Sequence, residues 1–169
     1  MMHQAYIGLG ANLGDRFQQC QQAIDLLRTH AVVTAVAPCY ETDPIPGTEG
    51  GAFLNGVLKI ATDKAPEPLL LLLQEVEIQL GRERAMRRKR AIRWGARTMD
   101  LDLLFFDEKV IRTRNLVVPH PELEKRRFVL QPLADLAPDL LHPTLQKTVK
   151  QLLVECSDPG QVVYFGKFT

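Results

Sequence analysis

Apolar and polar positions divide this chain into short blocks of alternating period. Ala5 to Gly10, with Tyr6, Ile7 and Leu9, reads as a short central strand. Phe17, Cys20, Ile24 and Leu27 then recur at helical spacing. A helix to about Arg28 follows from that spacing, and Asn12, with Asp15 three residues on, can cap it. Ala31 to Glu41 carries the β-branched run Val32, Val33, Thr34 and Val36. Pro38 cannot donate to a ladder, so that strand lies at an edge or ends in a bulge. Turn formers fill Asp43 to Gly51. Ala52 to Ala61 alternates, with Phe53 and Asn55 on one face and Leu54, Leu58 and Ile60 on the other. Pro66 and Pro68 suit the first turn of a second helix. Its apolar face is Leu69, Leu72, Leu73, Val76 and Leu80; Gln74 and Glu77 share another side, and Gly81 ends it.

A basic stretch follows, and then an apolar strand from Asp100 to Phe106. The order β-α-β-β-α-β predicts an α+β fold with a ferredoxin-like core, an antiparallel four-stranded sheet with two helices on one face. The other face is left for later elements or a ligand. Val110-Ile111 and Leu116 to Val118 can form a small hairpin, and Pro119-His120-Pro121 breaks the chain. Glu122 to Leu136 reads as mostly helical with an interruption at Pro132, and Leu145 to Cys156 as a last helix. No repeat, low-complexity tract or linker divides residues 1–169, so a single domain is expected.

Charge sharpens this picture in one place. The net charge of the 169 residues is only +1, so no bulk field favours nucleic acid or a membrane surface. Yet Arg82 to Arg97 holds eight Lys or Arg and a single acid, Glu83. Such a run is either a solvated loop or the binding place of a local anion. The longest aliphatic run, Leu69 to Leu73, is far too short to span a bilayer. Met1 to Gln4 shows no basic-then-apolar leader. Cys20, Cys39 and Cys156 have no metal-ligand spacing, and a reduced, cytoplasmic setting fits them.

The basic run leads directly into Asp100-Leu101-Asp102. Alternate strand residues share a face, so both carboxylates point one way while Leu101, Leu103 and Phe105 point to the core. Two adjacent carboxylates repel, and a hard cation between them relieves the repulsion. Mg²⁺ or Mn²⁺ favours such oxygen ligands and completes its shell with substrate phosphates. Arg93, Trp94 and Arg97 just upstream turn the balance from a solvated strand end to a phosphate site. Gly8-Leu9-Gly10-Ala11-Asn12-Leu13-Gly14 has the spacing G-x-G-x-x-x-G, which suits a tight turn better than a dinucleotide fingerprint. His120 is structural or, beside Arg126, Arg127 and Phe128, a phosphate contact; Phe128 is core or a ligand stack. An RNA-binding module of similar fold would stack bases on its first and third strands, and Tyr6 and Phe53 match that poorly. A metal-dependent nuclease and a non-catalytic ligand- or RNA-binding module are the alternatives.

Several ordered motifs resemble one family over nearly the whole chain. They are Gly8 to Asp15, Tyr40-Glu41-Thr42, Phe53-Leu54-Asn55, Gly81 to Arg84, Arg93 to Asp102, Val118 to Pro121 and Arg126 to Leu130. The family is 6-hydroxymethyl-7,8-dihydropterin pyrophosphokinase of folate biosynthesis. The resemblance implies transfer of pyrophosphate from ATP to the pterin hydroxymethyl group, with release of AMP. It implies that Asp100 and Asp102 hold two Mg²⁺ ions and act with Arg82 and Arg97 in catalysis. Phe53 and Phe128 would sandwich the pterin, with Thr42, Ile45 and Asn55 lining its pocket. Gln74, Glu77, Arg82, Arg84, Trp94, Arg97, His120 and Arg126 would surround ATP. The expected partners are these small molecules, with no nucleic acid and no membrane, and a monomer is expected. This chain departs from the common pattern at Ala96, where proline is usual, at Pro121, and in a longer loop after Arg84. The segment Glu83 to Ala96 has no clear period, so it is expected to be a mobile loop that closes over the phosphates and carries Trp94 with it. Where the closed backbone tolerates it, Ala96→Pro is then expected to tighten nucleotide binding or speed closure.

Overall fold

The computed structural model describes residues 1–44, 50–88 and 99–169, with the side chains of 82–88 outside the described set. Ile45, Trp94 and Arg97, the side chains of Arg82 and Arg84, and Ala96 in the expected closing loop all lie outside it. The first strand, β1 (His3–Ala11), is an inner strand of the sheet and longer than its apolar stretch. The helix α1 (Arg16–Arg28) is capped by Asp15, whose carboxylate accepts from the Gln18 N–H at 3.1 Å. Asn12 is therefore not the cap. Gly14 takes a φ of 64° and turns the chain after Leu13, which delays the helix.

The stretch expected as one strand is two, β2 (Val32–Val36) and β3 (Cys39–Thr42). Both pair with β4 (Phe53–Thr62), and the break falls at Ala37-Pro38. Pro38 has no N–H to offer, so the ladder is interrupted there rather than at the strand end. The second helix, α2 (Pro66–Arg88), runs through Gly81 instead of stopping at it. A helical glycine costs only about 1 kcal/mol, and the residues beyond it are strong helix formers. Part of the segment expected as loop is thus helix.

The strand β5 (Asp100–Phe106) lies antiparallel beside β1. A hairpin follows, β6 (Ile111–Arg112) with β7 (Val117–Val118), then a cis Val118–Pro119 bond and a 3₁₀ turn at Leu123–Lys125. The helix α3 (Arg127–Leu136) continues through Pro132. The last helix, α4 (Val149–Glu155), is shorter than expected, because the Thr148 hydroxyl and Gln151 form a capping box that starts it late. The chain ends with β8 (Val162–Gly166), which sequence reading did not assign. The strand order is β5-β1-β4-β3-β8, with β2 also on β4, a six-stranded sheet among the described residues, and every pairing in it is antiparallel.

Each sheet face has its own core. Ile7, Leu9, Leu54, Leu58, Leu101 and Leu103 pack against Ile24 and Leu27 of α1 and Leu69, Leu73 and Val76 of α2. On the opposite face Tyr6, Val57, Leu104 and Phe105 pack against Leu130 and Leu133 of α3 and Leu152 of α4. The alternation of β5 breaks at this point. Ile7 pairs with Leu103 and Tyr6 with Phe105, so Leu104 is an extra residue. The bulge turns Phe105 to the α3 side, not to the α1–α2 core that simple alternation predicts. Only part of this second face is covered by α3 and α4, and the uncovered part is a cleft.

Two close contacts tie further segments to the sheet. Gly50 adopts a φ of 99°, and a Cβ built there would lie 2.7 Å from Asn12 Nδ2 and 2.9 Å from the Asn12 carbonyl oxygen. Gly50→Ala is therefore expected to destabilise the fold by about 1–3 kcal/mol, from the left-handed backbone and from overpacking together. Chemical denaturation of the two proteins checks this. The second contact is made by the Tyr40 hydroxyl on β3, which donates to the Asp135 carboxylate on α3. Burial first, and then the Asp135 hydrogen bond, push the Tyr40 phenol up to about 12. The fold favours the protonated phenol, so this contribution is whole below the ordinary value of 10.0 and is lost as pH rises through about 12. Tyr40→Phe should cost about 1.5–3 kcal/mol near neutral pH, as for a hydrogen bond to a charged group. The difference between the two melting curves should shrink as pH rises across that window.

Candidate active site

The uncovered part of the second face is an open cleft. Its floor is the middle of the sheet, and its wall is the start of α3. Asp100 and Asp102 reach it from β5, with Asp100 half-buried and Asp102 exposed. Gly8 and Gly10 form the floor on β1. Phe53 and Asn55 come from β4, and Thr42 and Asp43 from the end of β3. Arg126, Phe128 and Val129 come from the start of α3.

Strand register orders these groups. Gly10 lies opposite Asp100 on one side and Asn55 on the other, and Asn55 lies opposite Tyr40. Gly8 lies opposite Asp102 and Val57. Neighbouring strands are about 4.8 Å apart, so the acidic column and the Asn55 column stand roughly 10 Å apart across β1. Glycines at both positions of β1 let the Leu104 and Asn55 side chains sit close over the strand between the columns. Gly8 and Gly10 thus sit inside a strand and line the cleft; of the three motif glycines, Gly14 makes the turn.

The end of the cleft at Asn55 is polar and buried. Asn55 and Thr42 are only 7% and 6% exposed, and the Asn55 amide donates to the Thr42 hydroxyl at 2.7 Å. Phe128 belongs to neither core cluster and is half-buried at the cleft. The Arg126 guanidinium carbon lies 5.7 Å from its ring centroid. The next residue, Arg127, faces the other way and donates to the Asp158 and Cys156 carbonyl oxygens at 3.2 and 2.8 Å. Arg127 therefore pins the start of α3 and so aims Arg126 and Phe128.

His120 does not line this cleft. It lies beside it, lining a second depression with Pro119, Pro121, Arg112 and His142. Its backbone N–H donates to the Leu104 carbonyl at 3.0 Å, and its ring Nδ1 accepts from the Glu122 backbone N–H at 3.2 Å. Burial chiefly holds the imidazole below its ordinary pKa; Asp102 opposes this and Arg126 adds to it. His120 thus stays within electrostatic reach of both cleft ends and is neutral at pH 7, with its remaining nitrogen the N–H donor. Gln74 and Glu77 are on α2, which packs on the opposite face of the sheet, and neither lines the cleft. Asp43, Leu104 and Val129 line it without having been singled out in the sequence. The place of Asp43 next to Thr42 was the one available signal.

A carboxylate pair needs a cation, and the surroundings decide which kind. Among the described residues no group of three or more His, Cys, Asp or Glu is placed to hold an ion by itself. Two carboxylates at an open floor instead suit a hard ion that takes its other ligands from substrate phosphate and water. Such a floor, with aromatic and amide side chains beside it, suits an enzyme that acts on phosphate groups. The comparisons with known proteins give that class a family. Residues 6–138 match the model of 7,8-dihydro-6-hydroxymethylpterin-pyrophosphokinase. Three relatives, each called 2-amino-4-hydroxy-6-hydroxymethyldihydropteridine pyrophosphokinase, cover most of the chain. The one from Bacillus subtilis is 46% identical over 78% of this chain and 77% of its own. Those from Pseudomonas aeruginosa and Aquifex aeolicus are 40% and 38% identical, over 95% and 91% of this chain and 96% and 92% of theirs. The chain belongs to the 7,8-dihydro-6-hydroxymethylpterin-pyrophosphokinase family. The Plasmodium falciparum HPPK-DHPS structure with pteroate superimposes with a TM-score of 0.72 at 16% identity. That match covers 92% of this chain but only 42% of the other, and it supports the fold alone. No helix among the described residues is long and apolar enough to cross a membrane.

Proposed function

We infer that this protein transfers the pyrophosphoryl group of ATP to the hydroxymethyl oxygen of 6-hydroxymethyl-7,8-dihydropterin in folate biosynthesis. The observation that carries the reading is the glycine-floored cleft with a carboxylate pair on one side and an aromatic and amide slot on the other. The acceptor oxygen attacks the β-phosphorus of ATP, the bond from that phosphorus to the α–β bridging oxygen breaks, and AMP leaves with the bridging oxygen. The hydroxyl proton is lost as the new O–P bond forms.

The roles of the residues are our proposal. The pterin lies in the slot between Phe53 and Phe128, whose ring faces suit a flat heterocycle. Asn55 and Thr42 meet its polar edge, with Ile45 completing the pocket. Asp100 and Asp102 hold two Mg²⁺ ions together with the ATP phosphates. Bound there, the ions neutralise phosphate charge and stabilise the charge that develops on transfer. Arg126 reaches from the wall toward the phosphates, and His120 donates a neutral N–H at the same end. Gln74, Glu77, Arg82, Arg84, Trp94 and Arg97 remain nucleotide contacts by resemblance to the family, with Arg82 and Arg97 also stabilising the transferring group.

We also read the β1-α1-β2/β3-β4-α2-β5 order as a ferredoxin-like core, one domain over residues 1–169. We place the reaction in the cytoplasm, which suits three buried, unpaired cysteines, and take the active unit to be the monomer. An assay of AMP release from ATP and Mg²⁺ tests the reading. Release that requires the hydroxymethyldihydropterin supports it. Release without the acceptor, or nucleic-acid cleavage in its place, would point to the acidic pair serving hydrolysis.

A further inference from the structure

The Asn55 side chain presents two different faces, a hydrogen-bond donor and an acceptor, and a ligand that needs one is refused by the other. One of its two amide N–H groups donates to the Thr42 hydroxyl, at 2.7 Å. Its acceptor oxygen, Oδ1, lies over Gly10 of β1. A Cβ built on Gly10 would stand 2.9 Å from that oxygen, closer than such atoms approach, while the next nearest atom, the Leu54 carbonyl oxygen, is 3.7 Å away. Gly10 has no left-handed backbone. Its conformation therefore does not demand glycine. The space above it does, and that space belongs to one atom of one side chain.

We propose that Gly10 is a positioning residue for the acceptor substrate: its missing side chain seats the Asn55 carbonyl oxygen over β1, fixing the amide so that it meets N–H donors on the edge of the heterocycle. The proposal rests on the reading that Asn55 faces the pterin. Thr42 holds one end of the amide and Gly10 leaves room for the other, so the orientation is set before substrate arrives. A methyl group at position 10 drives Oδ1 away, and the amide must rotate, breaking either the Thr42 bond or the alignment with the ligand. The atom that moves is the end of a flexible side chain, so the fold itself is little disturbed. Gly8, one row along, differs: a Cβ there would meet only the Leu104 side chain, at 3.4 Å.

A double-mutant cycle on the full chain tests this, with calorimetric titration of hydroxymethyldihydropterin in the presence of Mg²⁺ and a non-hydrolysable ATP analogue. Gly10→Ala should weaken pterin binding about 10- to 100-fold, the effect of a buried hydrogen bond lost or left unmade. Affinity for the ATP analogue should stay within about twofold, and the melting temperature within about 2–4 °C. In an Asn55→Ala background the added methyl meets no oxygen, so Gly10→Ala should then have no further effect. An equal loss in that background would mean that the methyl strikes the ligand directly, and would overturn the proposal. Unfolding of Gly10→Ala would overturn it too, because it would show a backbone role. Unchanged pterin affinity in Asn55→Ala alone would instead remove the reading of the slot on which the proposal stands.

Discussion

Asp100→Ala and Asp102→Ala are each expected to lower turnover by about 10³-fold or more while the protein remains folded. Lewis-acid stabilisation of a transferring phosphoryl group is worth several kcal/mol, and each 1.36 kcal/mol is tenfold in rate. Both carboxylates open on the cleft, while the packing of β5 is made by Leu101, Leu103, Leu104 and Phe105, so removing one leaves that packing intact. The fold should therefore be retained in both variants. Steady-state assays over a range of Mg²⁺, with circular dichroism of the same samples, check both halves. Near wild-type turnover in the variant lacking both carboxylates would remove the metal assignment.

The second large effect concerns the slot. Phe53→Ala and Phe128→Ala should each weaken pterin binding by about 1–3 kcal/mol, by analogy with bases stacked on aromatic side chains. From the sequence alone, core is the commoner reading of Phe128. Its position outside both clusters separates the two readings, and a stability loss is no longer expected to mask the binding loss. Calorimetry gives the binding change and thermal melting the stability change. A Phe128→Ala protein that melts much earlier yet binds the pterin normally would return Phe128 to the core.

The sequence exposed the parts of this molecule that repeat with one period. The two faces of β4 follow from alternation, and Phe53 and Asn55 do open on the cleft, opposite Leu54 and Leu58. The acidic pair shares a face for the same reason. Legibility failed where tertiary structure overrides a local rule. The Leu104 bulge shifts Phe105 to the other side of the sheet, and nothing in Leu103-Leu104-Phe105-Phe106 marks which apolar residue is the extra one. The glycines of β1 carry turn chemistry by type, yet Gly8 and Gly10 are in a strand because what they provide is space. The exit of α2 past Gly81 was missed because glycine weakens a helix without ending it. The strand β8 was missed because Val163, Tyr164 and Phe165 are all exposed, so its residues show no period of two. It is held by its ladder with β3, which only the assembled sheet reveals.

What distinguishes this account from simple phosphate transfer is that two phosphorus atoms move together. ATP labelled at the β-phosphorus, incubated with enzyme, Mg²⁺ and hydroxymethyldihydropterin, measures it most directly. The account predicts that the label leaves the nucleotide, appears in a pterin carrying two phosphates, and is matched mole for mole by AMP. Label retained in ADP, with a single phosphate on the pterin or none, would contradict it.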